Sequence, residues 1–146
     1  ILLGSPMKPE SKLWKKVKTN LPDIFFTRIE SWALPGVPDI YGCKDEIMFW
    51  IELKTVTKRN TLQLSPFQKR WHFSHSLQGG RSFIMLETHE PLLLSIFPSS
   101  IAISIAALSP KYAPKSWAMP ASPAAWAEIQ DYILHSPLSK PEAPPV

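Results

Sequence analysis

Apolar positions recur along this chain first at helical spacing, then in alternation, and each change of period marks an element. From Pro9 the stretch PESKLWKKVKTNL sets Leu13, Trp14, Val17 and Leu21 within an arc of ~100°, with Lys12, Lys15 and Lys16 outside it. Proline at a first-turn position and Glu10 near the positive helix end complete the signature of a helix. Glu10 falls inside the apolar arc, where it either frays into water beside the dipole or approaches a cation at the edge of the core. After Pro22, Ile24-Phe25-Phe26-Thr27-Arg28-Ile29 has the β-branched and aromatic content of a strand, and Pro35-Gly36-Val37-Pro38 turns the chain. A second strand opens at Asp39-Ile40-Tyr41-Gly42, and a polar turn covers Cys43 to Glu46. Ile47 to Lys54 is apolar enough for a central strand until its last three residues.

Ser65-Pro66-Phe67-Gln68 reads as a capping box with proline at N1, opening a helix that runs to Gly79-Gly80, where glycine can take the left-handed cap. Phe67, Trp71, Phe73 and Leu77 are expected on its buried face, with Gln68, His72 and His75 sharing a separate polar face and the two histidines turned to solvent or to phosphate. Ser82 to Thr88 and Leu92 to Phe97 predict two further strands. Ser99 to Leu108 alternates like a strand yet starts like a helix, and helix is the preferred reading. From Ser109 onward there are 8 prolines in 38 residues. One short helix, Pro123 to Leu134, carries Trp126, Ile129 and Ile133 on one face, and the rest is expected to form an arm or flexible tail. The predicted fold is therefore α/β: a single domain over 7–108 with a central mixed β-sheet flanked by helices, followed by a Pro-rich extension over 109–146. Residues 1–6 read as a cloning scar ahead of a natural start at Met7.

A length of 146 residues with 45% apolar composition gives a core that needs neither disulfide nor metal staples, and it excludes collagen-like, disulfide-scaffold and wholly disordered classes. Leu92 to Leu108 contains Pro98 and several serines and falls short of the ~20 apolar residues of a membrane crossing. With a lone cysteine, Cys43, and no signal peptide pattern, a cytoplasmic location is expected, or the host cytoplasm were the chain viral. Charge is unevenly spread. Residues 1–81 hold 13 basic and 7 acidic side chains, net +6, and residues 82–146 hold 3 and 5, net −2. The first part is the one suited to a polyanion.

The chemically dense part is Pro38-Asp39 followed by Glu52-Leu53-Lys54. Side chains two apart on a strand share a face, so Glu52 and Lys54 point together and Leu53 points to the opposite layer. A hairpin brings Asp39 alongside. Two neighbouring carboxylates are hard to keep ionised unless a cation sits between them, and magnesium, with its preference for hard oxygen ligands, meets that need. A lysine beside them can orient or deprotonate an attacking water, or stabilise a phosphate as it gains charge. His72 and His75 with Cys43 and His89 make no closed zinc set.

Asp39, Glu52, Leu53 and Lys54, set among Gly36-Val37-Pro38-Asp39-Ile40, Phe49 to Lys54, Leu64 to Trp71 and Gly79-Gly80, resemble the PD-(D/E)XK nuclease superfamily. The order of these blocks looks like the virus-type replication-repair nuclease branch, which is itself similar to archaeal Holliday junction resolvases. The resemblance covers Glu10 to about Glu87. It implies metal-dependent phosphodiester hydrolysis on DNA, with magnesium, or manganese in its place, held by Asp39, Glu52 and the Leu53 carbonyl. Glu10 would lie near or within that shell, Lys54 would handle the water, and Gln68 would join the site beside its capping role with Ser65.

DNA contacts are expected from the basic part of the chain: Arg28 and Ser31 just ahead of Asp39, and Lys58, Arg59, Lys69 and Arg70 after Lys54. With no base-reading module evident, recognition by shape of a four-way junction, flap or fork is the expected mode. A branched substrate with two-fold symmetry suggests a homodimer. A catalytically silent DNA-binding protein of the same fold and a sequence-specific restriction-like enzyme stay open as alternatives. Trp32 is the tryptophan best placed in sequence to stack on an unpaired base.

Overall fold

The structure is a computed structural model, and it describes residues 8–30, 33–57 and 61–146. In chain order the elements are α1 (Pro9–Asn20), β1 (Phe25–Arg28), β2 (Ile40–Lys44), β3 (Ile47–Val56), α2 (Pro66–Leu77), β4 (Ser82–His89), β5 (Leu92–Pro98), α3 (Ser99–Ala102), β6 (Lys115–Ala118) and α4 (Pro123–His135). The strands form one six-stranded mixed sheet in the order β1-β2-β3-β4-β5-β6, parallel only between β3 and β4. That parallel pair is joined through α2 and lies at the centre of the sheet, which is why β4 is buried on both faces except at its last residue.

Alternation along the strands divides the core in two. Phe49, Ile51 and Leu53 of β3 and Phe83 and Met85 of β4 face the layer formed by Leu13, Val17 and Leu21 of the α1 segment and by Trp126, Ile129, Ile133 and Leu134 of α4. Ile84 and Leu86 of β4 point the other way, to Leu64, Phe97, Ala102 and Leu108. Among the described residues no helix is long and apolar enough to cross a membrane.

Three sequence expectations are corrected. Residues 109–146 do not form an arm set apart from the domain: β6 extends the sheet beside β5, and α4 supplies a large share of the main core. Arg81 fastens this region by donating to the backbone oxygens of Ile133 and Ser136 at the end of α4. Of the stretch Ser99 to Leu108, only Ser99–Ala102 is helical, and Leu108 instead makes an isolated bridge with Leu62. The faces of α2 are also inverted. Phe67 and Leu77 are 53% and 41% exposed, whereas His72 and Ser76 are the residues it buries. The reason is local: beneath α2 the sheet presents polar groups, Glu52 and Ser82, and the helix answers them with its polar side.

Candidate active site

The turn between β2 and β3 sets the register of the site. Asp45 and Glu46 both take positive φ, 51° and 70°, the conformation of a two-residue hairpin turn that matches strand twist. The ladder then runs from Lys44↔Ile47 to Ile40↔Ile51, and one further step sets Asp39 opposite Glu52. Asp39 Oδ2 accepts a 2.7 Å hydrogen bond from the backbone N–H of Leu53, and the Asp39 carbonyl accepts one of 2.6 Å from Ile29. The preceding turn rests on α2. Gly36 has φ of +86°, and a Cβ there would lie 2.3 Å from the Phe67 carbonyl oxygen, so only glycine permits this approach.

In a strand the N–H and C=O of one residue point to the same neighbour. Since the Leu53 N–H faces Asp39, its carbonyl faces that side too, where the extended register brings Pro38, which has no N–H to give. The Leu53 carbonyl is thereby left without a ladder donor beside two carboxylates.

Both carboxyls are pushed above the usual carboxylate range. Burial, then the hydrogen bond and charge of Glu52, push Asp39 up to about 7, against the opposing pull of the Leu53 N–H and the Lys54 ammonium. Burial also raises Glu52, opposed by Asp39 as a hydrogen-bond partner and by Lys54. Glu52 is 3% exposed, and its Oε1 has no hydrogen-bond partner among the described residues. His72 Nε2 stands 3.9 Å from it and has no hydrogen-bond partner among the described residues either. His72 is fully buried, and burial followed by the Lys54 charge pushes it down to about 3, so the ring is neutral.

Asp39, Glu52, Leu53 and Lys54 line a cavity of about 410 Å³ together with Lys8, Glu10, Ser11, Arg28, Thr55, Leu62 and Gln68. Glu10 is brought there by α1 and accepts a short hydrogen bond from the Thr55 hydroxyl. Gln68 closes the capping box with Ser65 through its amide oxygen, which leaves the amide nitrogen as the group able to address the cavity. Arg28 also packs its guanidinium over the Trp14 ring. Lys69 and Arg70 are not brought to the cavity: Lys69 donates to the Val146 backbone oxygen, and Arg70 lies over the Phe67 ring. Ser31, Lys58, Arg59 and Trp32 lie outside the described residues. A larger hollow of about 670 Å³, lined in part by Lys115, Trp117 and Tyr132, shares no residue with this one.

Sequence reasoning missed Lys8, Thr55 and the burial of His72. The i, i+4 spacing of Gln68 and His72 signals that the two share a face, but spacing alone does not say that this face turns inward. Among the described residues, no three or more His, Cys, Asp or Glu side chains form a ready-made metal cage. Magnesium makes a lesser demand, one or two carboxylates completed by water and substrate oxygens. The partnerless Glu52 Oε1, the neighbouring Asp39 carboxyl and the Leu53 carbonyl on the Pro38 side fit an ion of that kind.

No protein-family model and no curated protein matches this chain. Among solved structures, the Holliday junction resolvase Hjc of the archaeal hyperthermophile Archaeoglobus fulgidus aligns with a TM-score of 0.59 at 14% identity, over 77% of this chain and 93% of that one. A second structure, SSO0001, aligns over 90% of this chain and 59% of that one at 12% identity, with a TM-score of 0.37. The α/β domain, with its six-stranded mixed sheet flanked by helices, thus resembles the Hjc fold.

Proposed function

We propose that this protein is a magnesium-dependent DNA endonuclease that selects branched DNA by its shape, with the four-way junction as first substrate and flaps or forks as second. The observation that carries this reading is the convergence of Asp39, Glu52, the Leu53 backbone and Lys54 in one cavity. Asp39, Glu52 and the Leu53 carbonyl would hold the ion, with Glu10 at the rim. When bound, magnesium supplies charge to stabilise the phosphate in its transition state and lowers the pKa of a coordinated water. Lys54, on the same strand face as Glu52, orients the attacking water and balances the charge that builds on the phosphate. A water oxygen bonds to phosphorus as one ester oxygen leaves.

The resemblance of the Hjc fold, together with an Asp39…Glu52-Leu53-Lys54 order like that of the PD-(D/E)XK superfamily, supports the same reading. The virus-type branch is the finer placement that the Gln68 to Trp71 block favours. Arg28 and Lys8 at the cavity are suited to the phosphates flanking the scissile bond. Ser31, Lys58 and Arg59, near Asp39 and Lys54 in sequence, are proposed as further phosphate contacts. A two-fold dimer would present two such sites to a junction.

The test is incubation with labelled four-way junction, flap and linear duplex, in magnesium and in chelator. Magnesium-dependent cuts in the branched substrates are expected. Binding without cuts identifies a silent DNA-binding protein, and cuts at one sequence of linear duplex identify a restriction-like enzyme.

A further inference from the structure

Behind Glu52, on the side away from the cavity, stands a buried polar chain. His72 Nδ1 is 2.6 Å from Ser99 Oγ, and Ser99 Oγ is 2.6 Å from Ser82 Oγ. All three residues are buried, and they come from α2, α3 and β4. At the other end of the imidazole, Nε2 and Glu52 Oε1 face each other at 3.9 Å, each without a hydrogen-bond partner among the described residues.

A neutral imidazole carries one ring proton, so the chain has two possible directions. If Nδ1–H donates to Ser99, Nε2 turns a lone pair on Glu52 Oε1, and with Glu52 ionised, as a metal ligand is, both atoms are left unsatisfied. If Ser82 O–H donates to Ser99 and Ser99 O–H donates to Nδ1, the proton sits on Nε2 and points at Oε1. The second direction gives every atom of the chain a role. A distance of 3.9 Å exceeds a hydrogen bond, and a swing of the Glu52 carboxyl by about 1 Å closes it.

We infer that His72, fixed in its Nε2–H tautomer by Ser82 and Ser99, is a positioning residue that holds Glu52 Oε1 and so aims the remaining oxygen, Oε2, into the cavity. Its metal-related part rests on the reading of Asp39 and Glu52 as ligands. This is the arrangement by which a hydrogen bond behind a ligand orients it and tunes its affinity. The pairing also accounts for why α2 buries a histidine where an apolar side chain would have filled the same space.

The tautomer is read directly, without metal or substrate, from long-range proton–nitrogen correlations of the His72 ring. Nε2–H is expected, and Nδ1–H overturns the inference. Manganese affinity, followed by electron paramagnetic resonance, tests the consequence. His72→Leu should lose 10- to 100-fold, His72→Gln, which keeps a donor at the Nε2 position, should stay within about threefold of wild type by the same reasoning, and Ser99→Ala should fall between. Circular dichroism and urea midpoints establish that each variant is folded. Equal losses in His72→Leu and His72→Gln would show packing alone and overturn the role, as would wild-type affinity in a folded His72→Leu. Should His72→Leu not fold, wild-type affinity in Ser99→Ala overturns it equally. Glu52→Gln separates the two levels: wild-type manganese binding in that variant overturns the metal reading itself, whereas weakened binding there with none in His72→Leu overturns only the positioning.

Discussion

The backbone N–H of Leu53 reaches Asp39 Oδ2 at 2.7 Å, which pins the loop ahead of β2 to β3 at the residue between Glu52 and Lys54. One bond therefore serves two ends, holding a carboxylate in the cavity and satisfying a backbone donor that has no strand partner. Asp39→Asn keeps an acceptor oxygen for Leu53 but cannot become an anion. It is expected to fold like wild type and to lose at least about 100-fold in cleavage, a loss typical of removing one charge-stabilising group. Asp39→Ala should lose the same activity and also about 1–3 kcal/mol of stability, because the Leu53 N–H is left unpaired. Cleavage assays with urea unfolding of both variants check this, and equal stability of the two would remove the structural half of the role.

The raised Asp39 carboxyl gives stability a specific pH dependence in the presence of chelator. Asp39 binds its proton more tightly folded, at about 7, than unfolded, at 3.8, so it contributes stability that is full below the lower value and lost as pH rises through the upper one. His72 works in the opposite sense. Held neutral down to about 3 rather than 6.5, it penalises the folded state at acid pH and releases that penalty as pH rises toward 6.5. The two partly cancel between these values, so wild type is best compared with Asp39→Asn, in which the His72 contribution is retained. The wild-type Tm should fall relative to the variant by about 5 °C or more between pH 4 and pH 8. With magnesium held as proposed, the ion competes with the proton on Asp39, so it should raise the wild-type Tm at pH 8 and scarcely at pH 5. A magnesium effect independent of pH would contradict that competition.

Gly36 is the mechanical link between α2 and the site. Its positive φ and its approach to the Phe67 carbonyl both exclude a side chain. Gly36→Ala must shift the Pro35 to Asp39 loop off α2, which adds a backbone clash to the roughly 1 kcal/mol of a left-handed alanine. Cleavage should fall at least tenfold while far-UV circular dichroism stays native, since the turn positions Asp39 but forms no part of the core. An unchanged rate would show that Asp39 is held by Leu53 alone.

The β2–β3 hairpin and the shared face of Glu52 and Lys54 were legible because both depend on strand alternation, which residue type reports well. The direction of α2 was not. Periodicity sees that Phe67, Trp71 and Leu77 are apolar, but not that the sheet beneath offers Glu52 and Ser82, to which His72, linked through Ser99, is the better match, while the buried Ser76 hydroxyl donates to carbonyls of its own helix. The capping box at Ser65 and the left-handed Gly79 were readable because both are local chemistry. The content of 109–146 was masked by its prolines. Trp126, Ile129 and Ile133 were seen on one face, yet that face acquires meaning only once the sheet shows Ile40, Phe49, Ile51, Phe83 and Met85 on the side where α1 alone supplies too little cover.

That reassignment has a measurable consequence. Ile129 is fully buried in the main core, so Ile129→Ala should cost about 2–5 kcal/mol, the range for emptying a buried aliphatic site. Were α4 part of a detached arm, the same substitution would leave the unfolding midpoint of the domain unmoved. Urea denaturation followed by tryptophan fluorescence distinguishes the two, with Trp126 in α4 and Trp50 in β3 expected to report one common transition.

The basic side chains at the cavity lead to the last expectation. Lys8 and Arg28 line it beside Lys54, whereas Arg81 is already committed to the end of α4 and Lys16 to Glu87 at 2.6 Å. Net charge therefore overstates the cations free to meet phosphate, and the counterion response should be moderate. Each phosphate neutralised contributes about −0.9 to the slope of log K against log salt. Junction binding in chelator should weaken with salt along that moderate slope, and Arg28→Ala should flatten it by about one phosphate. Lys16→Ala should leave the slope as it is, because the ammonium it removes is paired with a buried carboxylate. A salt response in which Lys16 counts and Arg28 does not would move the DNA track from the cavity to the outer face of α1.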